Sequence, residues 1–196
     1  MKKIILLLSI VIFGLNTILF ADNTKKIKRI FEGKEDAKIT IIAYESLTCS
    51  HCANFHKDVY PQLKKEFIDT GLVRIEFRHF PLDLAAFNAS KIAQCRNDGD
   101  SQVMHILFLN QQKWTRGKNI EDLNKNLKKL IVDESMNLDF KTCTQDKALE
   151  DFILSDRIEG VKKFKVNATP TIIINNKKFD KTLNYKNLKK SIKKLI

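Results

Sequence analysis

The chain has 196 residues and a formal net charge of +12. That length suits one domain with a real core, and the charge raises the question of a nucleic-acid partner. The lysine runs Asn124-Lys125-Asn126-Leu127-Lys128-Lys129 and Asn187-Leu188-Lys189-Lys190-Ser191-Ile192-Lys193-Lys194 answer it. Both interleave Leu and Ile at helical spacing, so the lysines read as the wet face of amphipathic helices and no nucleic-acid partner is expected.

Lys2 and Lys3 precede an apolar run from Ile4 to Phe20, interrupted only by Ser9, Asn16 and Thr17; Ala21 then offers a small residue before Asp22. A positive start, an apolar stretch and a small residue make the layout of a secretory signal peptide. Residues 1–21 are therefore expected to be a signal peptide and 22–196 one exported domain. The apolar run sits near the lower limit for spanning a bilayer, which leaves an uncleaved anchor as the alternative. No later run is long and apolar enough to span a membrane. The four cysteines, Cys49, Cys52, Cys95 and Cys143, make an even count, and export permits disulfides among them.

Ile39 to Glu45 (ITIIAYE) is almost continuously apolar and β-branched, as expected of a strand buried on both faces. Ser46-Leu47-Thr48 breaks the pattern, with Thr48 a candidate N-cap. A helix follows from Cys49, with Phe55, Val59, Leu63 and Phe67 four apart, Pro61 predicting a kink and Gly71 a stop. Leu72 to Phe80 alternates as a strand, with Val73, Ile75, Phe77 and His79 on one face. Residues 84–164 read as helical: Ala85 to Arg96, Gln102 to Trp114, Ile120 to Val132 and Lys147 to Phe164. Thr171 to Ile174 is a strand, Asn175-Asn176 a hairpin turn with a return strand from Lys177 to Phe179, and Asn184 to Ile196 a closing helix.

The chemistry concentrates in Cys49-Ser50-His51-Cys52, at the first turn of the first helix. A zinc site would combine Cys49, Cys52 and His56 with a distant fourth ligand, but a single CxxC is weak support for zinc. Covalent haem needs a histidine directly after the second cysteine, where Ala53 stands. A purely structural staple would close too short a loop to constrain much chain. A redox centre fits better. Cys49 at a helix N-terminus faces unpaired N–H groups and the positive end of the dipole, which favour the thiolate that disulfide exchange requires. His51 would add to this if it is protonated or donates to sulfur; a merely solvated ring is the alternative. Cys52, deeper and one turn on, would be the resolving thiol. His56 and His79 read as structural, and His105 shows no partner.

Strand–helix–strand, a helical block, then hairpin and helix is the plan of an α/β thioredoxin fold with a helical insertion. The segment ESLTCSHCANFH resembles the active-site segment of the DsbA-like thiol:disulfide oxidoreductases. The resemblance continues through Arg78-His79-Phe80-Pro81-Leu82-Asp83, Ala93-Gln94-Cys95, Leu107-Phe108-Leu109-Asn110-Gln111 and Ala168-Thr169-Pro170-Thr171, over nearly all of 22–196. It implies a monomeric, cofactor-free periplasmic enzyme that passes its Cys49–Cys52 disulfide to exported proteins with free thiols. A membrane quinone-linked thiol oxidase would reoxidise it. It also implies a cis bond between Thr169 and Pro170, lying against the redox cysteines, where an ordinary trans loop proline is the alternative. The family often joins the pair equivalent to Cys95 and Cys143; two buried free thiols remain the other reading.

One departure stands out. Family members commonly carry an acid six residues before the first cysteine, and here that position is Ala43. Glu45 lies two residues on, facing the same side of the strand. It is a candidate replacement in proton transfer to and from Cys52, or else reaches solvent at the strand end. The competing functions are a reductase or isomerase working from the dithiol, and a redox-inert exported binding or chaperone module.

Overall fold

The computed structural model describes residues 26–196; the signal peptide expected at 1–21 lies outside them. Five strands, β1 (Ile30–Glu32), β2 (Ile39–Glu45), β3 (Val73–His79), β4 (Thr171–Ile174) and β5 (Lys177–Lys178), form one sheet in the order β1-β3-β2-β4-β5. β2 runs parallel to β3, with Ile39 opposite Val73 and Glu45 opposite His79, and antiparallel to β4. β1 and β5 are antiparallel edges. β2 is apolar because both its faces are covered. Ile39, Ile41 and Ala43 pack with Phe55, Leu63, Phe67, Leu188 and Ile192, whereas Ile42 and Tyr44 pack with Phe80, Phe164, Val166 and Ile173.

The helical stretch 50–68 alternates α1 (Ser50–Asn54) and α2 (Tyr60–Leu63) with π-helical turns Phe55–Val59 and Lys64–Ile68. Phe55, Val59, Leu63 and Phe67 are all buried, as their spacing predicts. Pro61 falls in the first turn of α2, and the turn before it is widened, with Tyr60 N–H bonded to the Phe55 carbonyl five residues back. The run ends near Gly71, whose φ of +79° suits a residue without Cβ.

Six helices fill the insertion: α3 (Leu84–Gln94), α4 (Gln102–Leu109), α5 (Gln111–Trp114), α6 (Ile120–Asp133), α7 (Phe140–Gln145) and α8 (Lys147–Phe164). Asp83, Asn119, Asp139 and Asp146 cap α3, α6, α7 and α8, each accepting from a backbone N–H in the first turn. The helix expected over Gln102 to Trp114 is broken at Asn110, and Trp114 Nε1 ties the halves by donating to the Leu107 carbonyl at 2.9 Å. β1 and α7 were not anticipated: three residues are too few to show a period, and Phe140–Gln145 carries little apolar pattern.

Cys95 and Cys143 are joined, with Cα atoms 5.4 Å apart, so the reading as two free thiols does not hold. The bridge ties the end of α3 to α7. Helix α8 lies against the sheet, where Asp156 pairs with Arg29 and accepts from the His79 N–H at 3.3 Å, and Glu159 pairs with Arg78 at 2.6 Å. Asn175 and Asn176, at φ 44° and 65°, make the hairpin turn. α9 (Tyr185–Lys193), capped by Asn184, buries Leu188 and Ile192 beneath its lysines. The whole is a thioredoxin fold with a helical insertion between β3 and β4. No helix among the described residues is long and apolar enough to cross a membrane.

Candidate active site

Cys49 sits at the junction between the end of β2 and α1, as the N-cap residue with extended backbone. Thr48, the expected cap, is one residue too early. Its hydroxyl donates instead to Asp83 Oδ2 at 2.7 Å and lies 3.3 Å from the Ser46 hydroxyl, fastening the turn to the start of α3. Gln111, from α5, donates to the carbonyls of Leu47 and Cys49 at 2.8 and 3.0 Å. The turn that carries the cysteines is therefore braced from the insertion, a role that sequence reasoning missed although Gln111 stood in one of the quoted motifs.

The two thiols, both free, occupy different surroundings. Cys52 is fully buried; Cys49 is half-buried. The Cys49 pKa is lowered to about 5. The largest cause is the hydrogen bond with the Cys52 thiol; burial opposes it, and the Thr169 side chain and the backbone N–H groups of Cys52 and His51 add to it. Cys52 is pushed far up, first by burial, then by its bond to Cys49 and the negative charge of Glu45. The helix start thus acts on Cys49 as its position suggests. His51 contributes through its backbone amide, while its exposed ring takes part in none of the hydrogen bonds among the described residues.

The Thr169–Pro170 bond is cis, and the Thr169 carbonyl oxygen lies 3.3 Å from the Cys49 sulfur. Thr169 and Pro170 line a groove of about 500 Å³ together with His51, Phe55, Val59 and Leu183. The groove reaches the cysteine turn through His51, and Thr169 on its wall is the residue whose carbonyl meets the Cys49 sulfur.

Behind the cysteines lies a polar cluster. Glu45 does not reach solvent: it is 4% exposed, and its Oε2 meets His56 Nε2 at 2.9 Å. His56 Nδ1 meets His105 Nδ1 at 2.8 Å, and His105 Nε2 meets Glu32 Oε1 at 2.8 Å. His105, without a visible partner in the sequence, is thus the link between α4 and β1. Both ring nitrogens of His56 are engaged here, which removes it from the zinc set weighed with Cys49 and Cys52. His79 is a core residue, bonded to Gln94 at 3.2 Å.

A sheet of this order with CxxC at the start of its first helix and a cis-proline loop opposite defines the thioredoxin class, and a family model described as thioredoxin matches residues 25–194. The chain belongs to that family. Within it the likeness lies with DsbA proteins. The crystal structure of Wolbachia pipientis alpha-DsbA1 superposes with a TM-score of 0.77 at 29% identity, over 88% of this chain and 93% of that one. Disulfide bond formation protein D of Bacillus subtilis is 29% identical over 173 residues, 83% of this chain and 74% of that protein. A Rickettsia bellii relative assigned the name protein-disulfide oxidoreductase is 29% identical over 147 residues, 73% of this chain and 55% of that one. The chain spans about half the length of the Rickettsia relatives it matches.

Proposed function

We propose that the chain is a DsbA-like protein-disulfide oxidoreductase that donates the Cys49–Cys52 disulfide to exported proteins bearing free thiols. The observation that carries this is the asymmetry of the pair: Cys49 is accessible and held at about 5, whereas Cys52 is sealed and held protonated. In the oxidised form a substrate thiolate attacks Cys49 Sγ, the S–S bond breaks, and Cys52 leaves with the electron pair and takes up a proton. A second substrate thiolate then attacks the mixed disulfide, and Cys49 leaves as a thiolate. Stabilising that leaving group favours the reduced enzyme, so the disulfide is an oxidant.

Thr169 and Pro170 serve substrate positioning. An extended substrate segment can pair with the backbone at Thr169 beside Cys49, as an added strand does. Glu45 exchanges the proton of Cys52, in place of the acid absent at Ala43. The exported unit is 22–196, a monomer in the periplasm, reoxidised by a membrane quinone-linked thiol oxidase.

The test is a trap. Cys52→Ala should accumulate mixed disulfides between Cys49 and exported proteins, and Cys49→Ala should accumulate none. A redox potential near that of thioredoxin, with fast insulin reduction, would instead assign the chain to the reductases.

A further inference from the structure

The reading of Cys52 as resolving thiol leaves a question about its proton. Cys52, Glu45 and His56 are all buried, with no more than 4% exposure, so a proton released at the Cys52 sulfur has no direct way to water. We propose that Glu45, His56, His105 and Glu32 form a proton relay that carries the Cys52 proton to solvent at the edge strand β1. This rests on the oxidoreductase reading above and deepens it.

From Glu45 outward the geometry is continuous. Three successive contacts of 2.9, 2.8 and 2.8 Å join Glu45 Oε2, the two rings and Glu32 Oε1, each within hydrogen-bond range. The far end is open: the side chains of Glu32 and its partner Lys64 are 15% and 42% exposed. In the sheet order, β1 lies on the opposite side of β2 from β4 and the Thr169 loop. The relay therefore empties away from the substrate groove.

The near end is open in another sense. Glu45 Oε1 is shielded from solvent and has no hydrogen-bond partner. A buried carboxylate oxygen left unpaired is costly, and a polar cluster serving only to pin α4 to the sheet gains nothing from it. Glu45 makes no hydrogen bond to Cys52 in this arrangement, but its charge acts on that thiol, and its unpaired oxygen is the acceptor left for the Cys52 proton.

Counting protons sharpens the picture. Glu32 Oε1 accepts from Tyr60, Ser101 and His105, and Lys64 sits 3.0 Å from Oε2. Burial alone would raise the Glu32 carboxyl, but these donors outweigh it and hold Glu32 as a carboxylate. His105 Nε2 then carries a proton, so its Nδ1 accepts from His56 Nδ1–H. One mobile proton is left between His56 Nε2 and Glu45. The other groups facing this line are Cys52 and His79 toward Glu45, and Asp69 toward Lys64. None interrupts it.

The step balances. Cys52 sulfur attacks the mixed disulfide at Cys49, a Cys49–Cys52 bond forms, and the partner sulfur leaves with the electron pair. The Cys52 proton passes to Glu45 Oε1. Glu45 gives its other proton to His56, His56 gives one to His105, and His105 gives one to Glu32 and so to water. Reduction of the Cys49–Cys52 bond runs the same line backward.

The experiment follows reduced protein mixed with oxidised glutathione, using acid quench and mass spectrometry to separate mixed-disulfide formation at Cys49 from its resolution by Cys52. His105→Ala should leave formation unchanged and slow resolution at neutral pH by about a hundredfold, the low end for a lost proton-transfer group. Resolution should then recover as imidazole buffer concentration rises, because a small base replaces the missing ring. Glu32→Gln, which keeps an acceptor oxygen for Tyr60, Ser101 and His105 but cannot hold the proton, should slow resolution likewise. Resolution at the parent rate in both variants overturns the relay, as does slowing that is indifferent to buffer. If the unsubstituted protein forms no mixed disulfide at Cys49, the oxidoreductase reading itself fails and the relay with it.

Discussion

The backbone oxygen of Thr169 accepts from the Cys49 thiol at 3.3 Å, while the Thr169 hydroxyl, shielded from solvent, has no hydrogen-bond partner of its own. One residue thus offers Cys49 two opposite groups. The carbonyl can bond only to the thiol, and the hydroxyl is free to turn and donate once the thiol ionises.

Replacing Thr169 by Val removes that donor and keeps the shape. The Cys49 pKa should rise from about 5 by about one pKa unit, worth about 1.4 kcal/mol. The disulfide should become a weaker oxidant, with the melting temperature of the oxidised protein little changed. Thiolate absorbance titration and equilibrium with glutathione measure both; an unmoved pKa and potential would reduce Thr169 to packing.

The depressed Cys49 pKa also makes the reduced protein's stability depend on pH. A thiol held at about 5 when folded, against an ordinary value of 9.0, contributes stability that is fully present above the ordinary value. That contribution shrinks as pH falls toward 5. Reduced protein should therefore lose stability relative to Cys49→Ser between pH 9 and 5. Iodoacetamide should label Cys49 down to about pH 5 and spare buried Cys52 until the protein unfolds. Equal labelling of both thiols would contradict the assignment of roles.

The Cys95–Cys143 bridge spans 48 residues of sequence. Loop-closure entropy for that length predicts about 4 kcal/mol. The double variant Cys95→Ala/Cys143→Ala should lose about 2–4 kcal/mol in urea denaturation. Peptide mapping under graded reductant should open Cys49–Cys52 well before Cys95–Cys143, which has one sulfur residue fully enclosed.

Gly160 lies inside α8, where alanine would ordinarily favour the helix by about 1 kcal/mol. Here an added Cβ would come within 2.8 Å of the Tyr44 ring, itself fully buried between Phe80 and Phe164. Gly160→Ala should therefore destabilise, by about 1–3 kcal/mol as overpacked cores do. A rise in melting temperature would show that α8 can move off the sheet.

Much of the architecture is legible without coordinates because it rests on local periodicity. Ile39 to Glu45 has to be covered on both sides, and Phe55, Val59, Leu63 and Phe67 must share a helix face, whatever surrounds them. The start of a helix at Cys49 follows from the break at Ser46-Leu47-Thr48, and with it the polarity of the cysteine pair. The residue identities at Cys49, Cys52 and Thr169-Pro170 are enough to suggest the chemistry.

Contacts between distant segments are another matter. His105 shows no partner along the chain because its partners, His56 and Glu32, are 49 and 73 residues away. Only the packing of α4 across the helical stretch 50–68 and edge strand β1 brings the three together. Gln111 reaches the cysteine turn for the same reason, and Glu45 is buried with His56 of the stretch 50–68 against its carboxylate. Thr48 stands one residue before the N-cap Cys49, and its hydroxyl is taken up instead by Asp83, 35 residues on. Periodicity and capping are properties of neighbours, so sequence alone determined four of the five strands, most helices and the placing of the cysteine pair at a helix start. Hydrogen bonding inside a core depends on which segments the fold stacks, so tertiary structure alone decided the surroundings of Cys52 and the way out for its proton.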